Sequence, residues 1–244
     1  MTKFLVTGST GQVGRPATEA LRATGAEVVG LTRRGGPGAV AADLVSGQGL
    51  TGALAGVDTV VHLAAGNNKR DLPMMRNLTT AAAEAGIKHL VMVSIVGCDR
   101  VPLGFYRQRV ELEEIALASG VPLTIQRATQ FHSLVEQVFT AQRFLPVVFG
   151  PDWPYQPIAM QEVGARMAEL ATGAPQGRAD DIGGPVRQTV RELHAIWKRV
   201  TGSKRRGVIF KPPGKMSAAF AAGYHLAPGS SYGQQMFEQY LQAR

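Results

Sequence analysis

Strands alternating with helices through the first three fifths of the chain predict an α/β protein: a doubly wound parallel sheet with a smaller C-terminal region. Three observations carry this. The strands read as continuous apolar runs, as in a sheet covered on both faces; glycine stands just past each of several helical patterns; and a glycine-rich turn, TGSTGQVG at 7–14, joins the first strand to the first helix.

The elements follow in order. Strands are predicted at 3–7, 27–31, 39–43, 58–63, 89–94 and 122–127, and helices beginning near Gln12, Gln48, Pro73, Phe105 and Gln130. Gly25, Gly86 and Gly120 mark helix ends, where glycine takes the left-handed conformation most cheaply. After about residue 149 proline and glycine become frequent and strand signals weaken, with helical patterns at 163–171 and 186–200. The expected organisation is a nucleotide-binding core at 1–149 and a smaller substrate-binding region at 150–244 packed on it.

The composition sets limits. The chain has 244 residues, 45% hydrophobic and 18% charged, an ordinary balance for a globular protein. A single cysteine, Cys98, leaves no internal disulfide and no cysteine-based metal site, and the remaining histidines show no metal-ligand spacing. The run FLV at 4–6 is too short for a signal peptide, and no stretch reaches the ~20 apolar residues of a membrane span. The expected address is cytoplasmic, with no membrane partner and no metal. Nine of the 26 Lys and Arg residues fall between 187 and 215 against one acid, Glu192. No DNA-binding motif or aromatic interleaving accompanies them, so a solvated surface is expected rather than a nucleic-acid site.

Ligands of doubly wound sheets lie beyond the C-terminal ends of the strands. After the first strand, Gly8, Ser9, Thr10, Gly11, Gln12 and Val13 form either a tight turn alone or a phosphate cradle at a helix N-terminus. After the second come Arg33 and Arg34, suited to a 2′-phosphate where an acid would bind a ribose, which favours NADP(H) over NAD(H). Asp43 and Leu44 follow the third strand, where an adenine could rest. Ala64, Ala65 and Gly66 follow the fourth and let a ribose lie against the backbone. Together these positions favour the cofactor site.

TGSTGQVG, LTRR, VVHLAAG, VSIVGCDRVP at 93–102, FYRQRVELEE from Phe105 and IQRATQFHSLV from Ile125 resemble the NmrA-like NAD(P)H-binding branch of the atypical short-chain dehydrogenase/reductases. YQPI from Tyr155 and GGP from Gly183 are similar to that family's substrate-region landmarks, though less specific. The resemblance implies a Rossmann core, a nicotinamide cofactor also touched by Ala128 and Thr129, and reduction of a carbonyl, enone or quinone of an apolar or aromatic molecule. Some members instead bind the cofactor as sensors acting through a protein partner. Family reductases use a serine at the end of the fifth strand and a Tyr-x-x-x-Lys on the next helix. Ser94 matches the serine, but Phe105 stands at the tyrosine position and Arg109 at the lysine position.

Phenylalanine donates no proton, and Arg109, with a pKa above ~12, is no acid at neutral pH. Ser94 and Arg109 can stabilise an oxyanion while water supplies the proton, or Tyr106 or His132 can donate it from a shifted position. Tyr106 does not simply replace its neighbour, because one helical step turns a side chain by about 100°. Phe139, Phe144, Val147, Val148, Phe149, Trp153 and Tyr155 line an apolar pocket or form core, core being the expected use.

Overall fold

The computed structural model describes residues 2–66, 69–229 and 231–244. In chain order the elements are β1 Lys3–Thr7, α1 Gly14–Ala23, β2 Glu27–Thr32, β3 Ala39–Ala41, α2 Leu50–Leu54, β4 Thr59–His62, α3 Asp71–Glu84, β5 His89–Ile95, α4 Gly104–Leu117 and β6 Leu123–Ala128. They continue with α5 His132–Thr140, β7 Val147–Pro151, β8 Pro154–Tyr155, α6 Met160–Thr172, β9 Gly177–Arg178, β10 Gln188–Thr189, α7 Val190–Thr201, β11 Arg206–Phe210, α8 Lys215–Ala221 and α9 Phe237–Gln242. The main sheet has seven parallel strands in the order β3-β2-β1-β4-β5-β6-β9, with the order reversing between β1 and β4.

The chain divides into two compact units interleaved in sequence. The first comprises Met1–Ser94, Arg107–Gln126 and Met160–Asp180; the second comprises Ile95–Tyr106, Arg127–Ala159 and Asp181–Arg244. In the first, Leu5, Val60, Leu90 and Ile125 of the sheet pack with Leu50, Met75, Leu78 and Leu112 of the helices into one apolar cluster. Helix α6 lies on α1 so closely that a Cβ on Gly164 would sit 2.8 Å from the Ala17 backbone nitrogen. In the second unit Val135, Phe139, Val148, Leu193, Trp197 and Phe237 form a separate core.

Strands β1 to β6 lie within two residues of their predicted bounds because their apolar runs end at turn residues, whereas β7 to β11 had no predicted counterpart. Gly25, Gly86 and Gly120 take positive φ of 80°, 66° and 74°, as helix stops require. Two helix starts differ: α6 begins at Met160 rather than 163, and α7 begins at Val190 rather than 186, because Thr189 accepts from the Glu192 amide while the Glu192 carboxylate accepts from the Thr189 amide. The expectation of core for the aromatic stretch holds only in part. Phe139 and Val148 are buried, whereas Phe149 is exposed on the outer face of β7 and Phe144 in the turn before it.

The basic segment is also not uniformly solvated. The Arg205 guanidinium donates to the carbonyls of Phe139 (3.1 Å) and Gln142 (2.7 Å) at the end of α5 and lies over the Trp197 ring. Arg205→Ala is therefore expected to cost about 1.5–3 kcal/mol of stability, as charged hydrogen bonds do, whereas Lys204→Gln costs almost nothing. Urea unfolding of the two variants checks this, and equal midpoints would contradict it.

Candidate functional site

In the first unit, β1, β4 and β5 run parallel with Thr7 beside His62 and His62 beside Met92, so their C-terminal ends share one side of the sheet. The glycine-rich turn opens there. Gly8 takes φ +67°, and a Cβ on Gly14 would meet the Gly8 carbonyl oxygen at 1.9 Å, so both glycines are required for the turn to close. Gly11 donates to the Gly8 carbonyl at 2.8 Å. Among the described residues the amides of Thr10, Gln12 and Val13 have no hydrogen-bond acceptor, and Thr10 to Gln12 are exposed. Unsatisfied amides at the positive end of α1 fit a pyrophosphate.

Other sequence-predicted positions gather at the same strand ends. Arg33 and Arg34 follow β2, exposed and without an ion-pair partner among the described residues. The Asp43 carboxylate accepts from the Val45 amide at 2.8 Å, and Leu44 is buried in the apolar cluster, so Asp43 turns the chain while Leu44 anchors it. Asn77, which the sequence reading passed over, donates to the carbonyls of Leu44 and Val45 and holds that turn. Ala64 is half-buried, and Ala65 and Gly66 are exposed.

Beneath this surface lies a buried polar cluster. The Thr7 hydroxyl accepts from the amides of Leu63 and Ala64 and therefore donates its own proton to His62 Nδ1 at 2.8 Å. Burial pushes His62 from 6.5 down to about 4, with Asp71 opposing the shift and Arg109 adding to it. Arg109 Nη2 pairs with Asp71 Oδ2 at 3.0 Å, both side chains nearly buried, and Asp71 Oδ1 accepts from the Gly66 amide at 2.7 Å. Arg109 thus ties α4 to the N-terminus of α3 and to the loop after β4. Neither His62 nor Asp71 was singled out from the sequence, and the 38 positions between Asp71 and Arg109 carry no local signal of their pairing.

A neutral native His62 makes stability acid-sensitive. The unfolded chain takes up a proton as pH falls through 6.5, while the folded chain resists until about 4. His62 should therefore cost up to about 1.4 kcal/mol of stability per pH unit across that window. Unfolding of wild type and His62→Asn at several pH values measures the difference; identical slopes would refute it.

Ser94 sits at the end of β5, 4% exposed, and its Oγ has no hydrogen-bond partner among the described residues. A buried hydroxyl without a partner costs about 1–3 kcal/mol unless a ligand completes it.

Tyr106, Ala128, Thr129 and His132 belong to the second unit. Thr129 is buried, donating its hydroxyl to the Gln156 carbonyl and its amide to that of Ile182. Ala128 is buried and accepts from the Val96 amide. His132 is the first residue of α5, 2% exposed, stacked on Phe237 and Tyr240 with Nε2 on the Gln235 carbonyl. The two landmark segments meet: Gln156 Nε2 donates to the Gly184 carbonyl, and a Cβ on Gly184 would clash with the Pro157 carbonyl oxygen at 1.8 Å.

Tyr106 enters an aromatic cluster, edge-on to Phe220, which stacks on Trp153 at 4.4 Å and meets His225 at 4.8 Å. His225 in turn meets Tyr155. Burial pushes the Tyr106 hydroxyl up to about 12 and Tyr155 higher still, so both phenols keep their protons at neutral pH. Phe105 and Arg109 lie one turn apart on α4, with no phenol at 105.

Residues 8–122 match a family of NAD(P)H-binding proteins. Quinone oxidoreductase 2 of Escherichia coli is 30% identical over 137 residues, 50% of this chain and 46% of the relative, so the chain spans under half of that enzyme's length. The (4-alkanoyl-5-oxo-2,5-dihydrofuran-3-yl)methyl phosphate reductase of Streptomyces griseus is 32% identical over 227 residues, 83% of this chain and 75% of that one. Among solved structures, an NADPH-dependent quinone oxidoreductase from Escherichia coli complexed with NADPH superposes with a TM-score of 0.85 at 19% identity, covering 98% of this chain and 99% of that one. The triphenylmethane reductase of Citrobacter sp. complexed with NADP(H) gives 0.76 at 17%, covering 99% and 100%. These structures share the fold.

Proposed function

The chain belongs to the NAD(P)H-binding family, and from that premise we propose that it is an NADPH-dependent reductase of a quinone, enone or carbonyl on an apolar or aromatic small molecule. The observation that carries this reading is the buried Ser94 hydroxyl, without a hydrogen-bond partner among the described residues, at the end of a strand parallel to the one that leads into the open amides of Thr10, Gln12 and Val13. A pure nucleotide cradle needs the amides alone; a buried hydroxyl at the end of β5 suits an oxygen that gains charge.

When bound, the reduced nicotinamide supplies a hydride to the substrate. The turn amides hold the pyrophosphate, Arg33 and Arg34 meet the 2′-phosphate, and Ser94 donates to the oxygen as it becomes anionic. Arg109 supports this indirectly: its ion pair with Asp71 fixes Gly66, over which a ribose would lie. The relatives' names, a quinone oxidoreductase and a reductase of an alkanoyl-oxo-dihydrofuran, support a conjugated substrate.

A second reading, a cofactor sensor acting through a protein partner, is favoured by Phe105, which leaves α4 without the family's acid. Incubation with NADPH and a panel of quinones and enones, followed by absorbance of the reduced nicotinamide, separates the two. No consumption above a protein-free control would overturn the reductase.

Cofactor preference has its own test. Arg33→Ala should weaken NADPH binding by roughly tenfold or more, the worth of a charge-assisted contact, and leave NADH unchanged. Equal dissociation constants for NADPH and NADH in the wild type, by calorimetric titration, would rule the preference out.

A further inference from the structure

We propose that the outer face of the β7–β11 ribbon docks the protein onto an anionic lipid surface. The ribbon is parallel, with Val208 beside Phe149 and Phe210 beside Pro151. Its inner face is pressed on α7: Val148 is 1% exposed, and Cβ atoms on Gly150 and Gly207 would lie 2.8 Å from Val190 Cγ2 and 2.9 Å from His194 Nδ1. A parallel pair of strands ordinarily has both faces covered. Here Phe149, Val208 and Phe210 are 43%, 40% and 46% exposed, and the turn before β7 adds Phe144 at 84% and Leu145 at 43%. An apolar face held open beside a packed core marks an interaction site.

The charges around it select the occupant. Arg206 lies on the same face, two residues before Val208; Arg143 stands over the Phe144 ring at 4.7 Å; Lys204 and Lys211 flank the strand. The one acid among these residues is Asp152, 4.0 Å from Lys211. A second copy of the chain would bring like charges together, and the whole chain already carries +8. Anionic headgroups meet the cations while the aromatic and aliphatic side chains enter the acyl boundary. No described helix is long and apolar enough to cross a membrane, so the contact would be peripheral.

The test is sedimentation of the full chain with vesicles of phosphatidylcholine, with and without phosphatidylglycerol. Binding should require the anionic lipid and fall as salt rises. Each of Lys204→Gln and Arg206→Gln should reduce it by about fivefold, and Phe149→Ser with Phe210→Ser by about tenfold or more. All of these variants should keep wild-type NADPH affinity and melting temperature, which shows them folded. Failure to sediment, or equal binding to neutral vesicles, would overturn the proposal. So would a dimer by light scattering that Phe149→Ser dissociates, because the face would then belong to a second copy.

Discussion

Arg109→Ala is expected to lower the unfolding free energy by about 3–5 kcal/mol, the cost of removing one partner from a buried ion pair. The reason is what stays behind. Asp71, with its side chain 3% exposed and Oδ1 on the Gly66 amide, would lose the cation that its Oδ2 meets. Removing the charge on both sides is cheaper, so Arg109→Ala in an Asp71→Asn background should cost clearly less than in the wild type. Urea unfolding of the four proteins measures the coupling, and strictly additive costs would show that the pair contributes nothing.

A second readout comes from His62. Arg109 helps hold that imidazole near 4 while Asp71 pulls the other way. Loss of Arg109 alone should raise the His62 pKa, so that the acid loss of stability still begins near 6.5 but ends at a higher pH and is smaller in total; a merely structural cavity would leave that window unchanged. The position that matches the family lysine is thus a framework position in this chain. It anchors the first turn of α3 and the loop after β4, and any effect on turnover must be read against that.

How far this was legible in the sequence depends on the range of the interaction. Strand and helix positions through β6 followed from apolar runs and from Gly25, Gly86 and Gly120, all local features. The turn at 7–14 was legible for the same reason, since the clash of a Gly14 side chain with Gly8 is a property of seven neighbouring residues. The Asp71–Arg109 pair was not, because it joins two helices that sequence spacing does not relate. Arg205 read as one more solvated cation, yet it reaches 66 residues back to the Phe139 carbonyl. Phe149 read as core along with its apolar neighbours; only the pairing of β7 with β11 shows that its side of the ribbon is open.

Ser94→Ala is expected to slow reduction of quinones or enones by about 10²–10³-fold, the loss seen when one donor to a developing oxyanion is removed. It should leave NADPH affinity within about twofold of wild type, since the contact is worth most in the transition state. The magnitude rests on burial: a hydroxyl at 4% exposure with no hydrogen-bond partner among the described residues is already desolvated. Simple ketones should be poor substrates of the wild type, because their alkoxides need a concerted acid and residue 105 is phenylalanine. Quinones and conjugated enones tolerate the missing acid, as their reduced forms are stabilised anions. Phe105→Tyr with Arg109→Lys should therefore extend activity toward ordinary ketones, provided the lysine still pairs with Asp71, which the unfolding measurement reports. Equal rates for Ser94→Ala and wild type across the whole panel would remove Ser94 from the chemistry. Tight NADPH binding with no turnover by either protein would leave the sensor reading in its place.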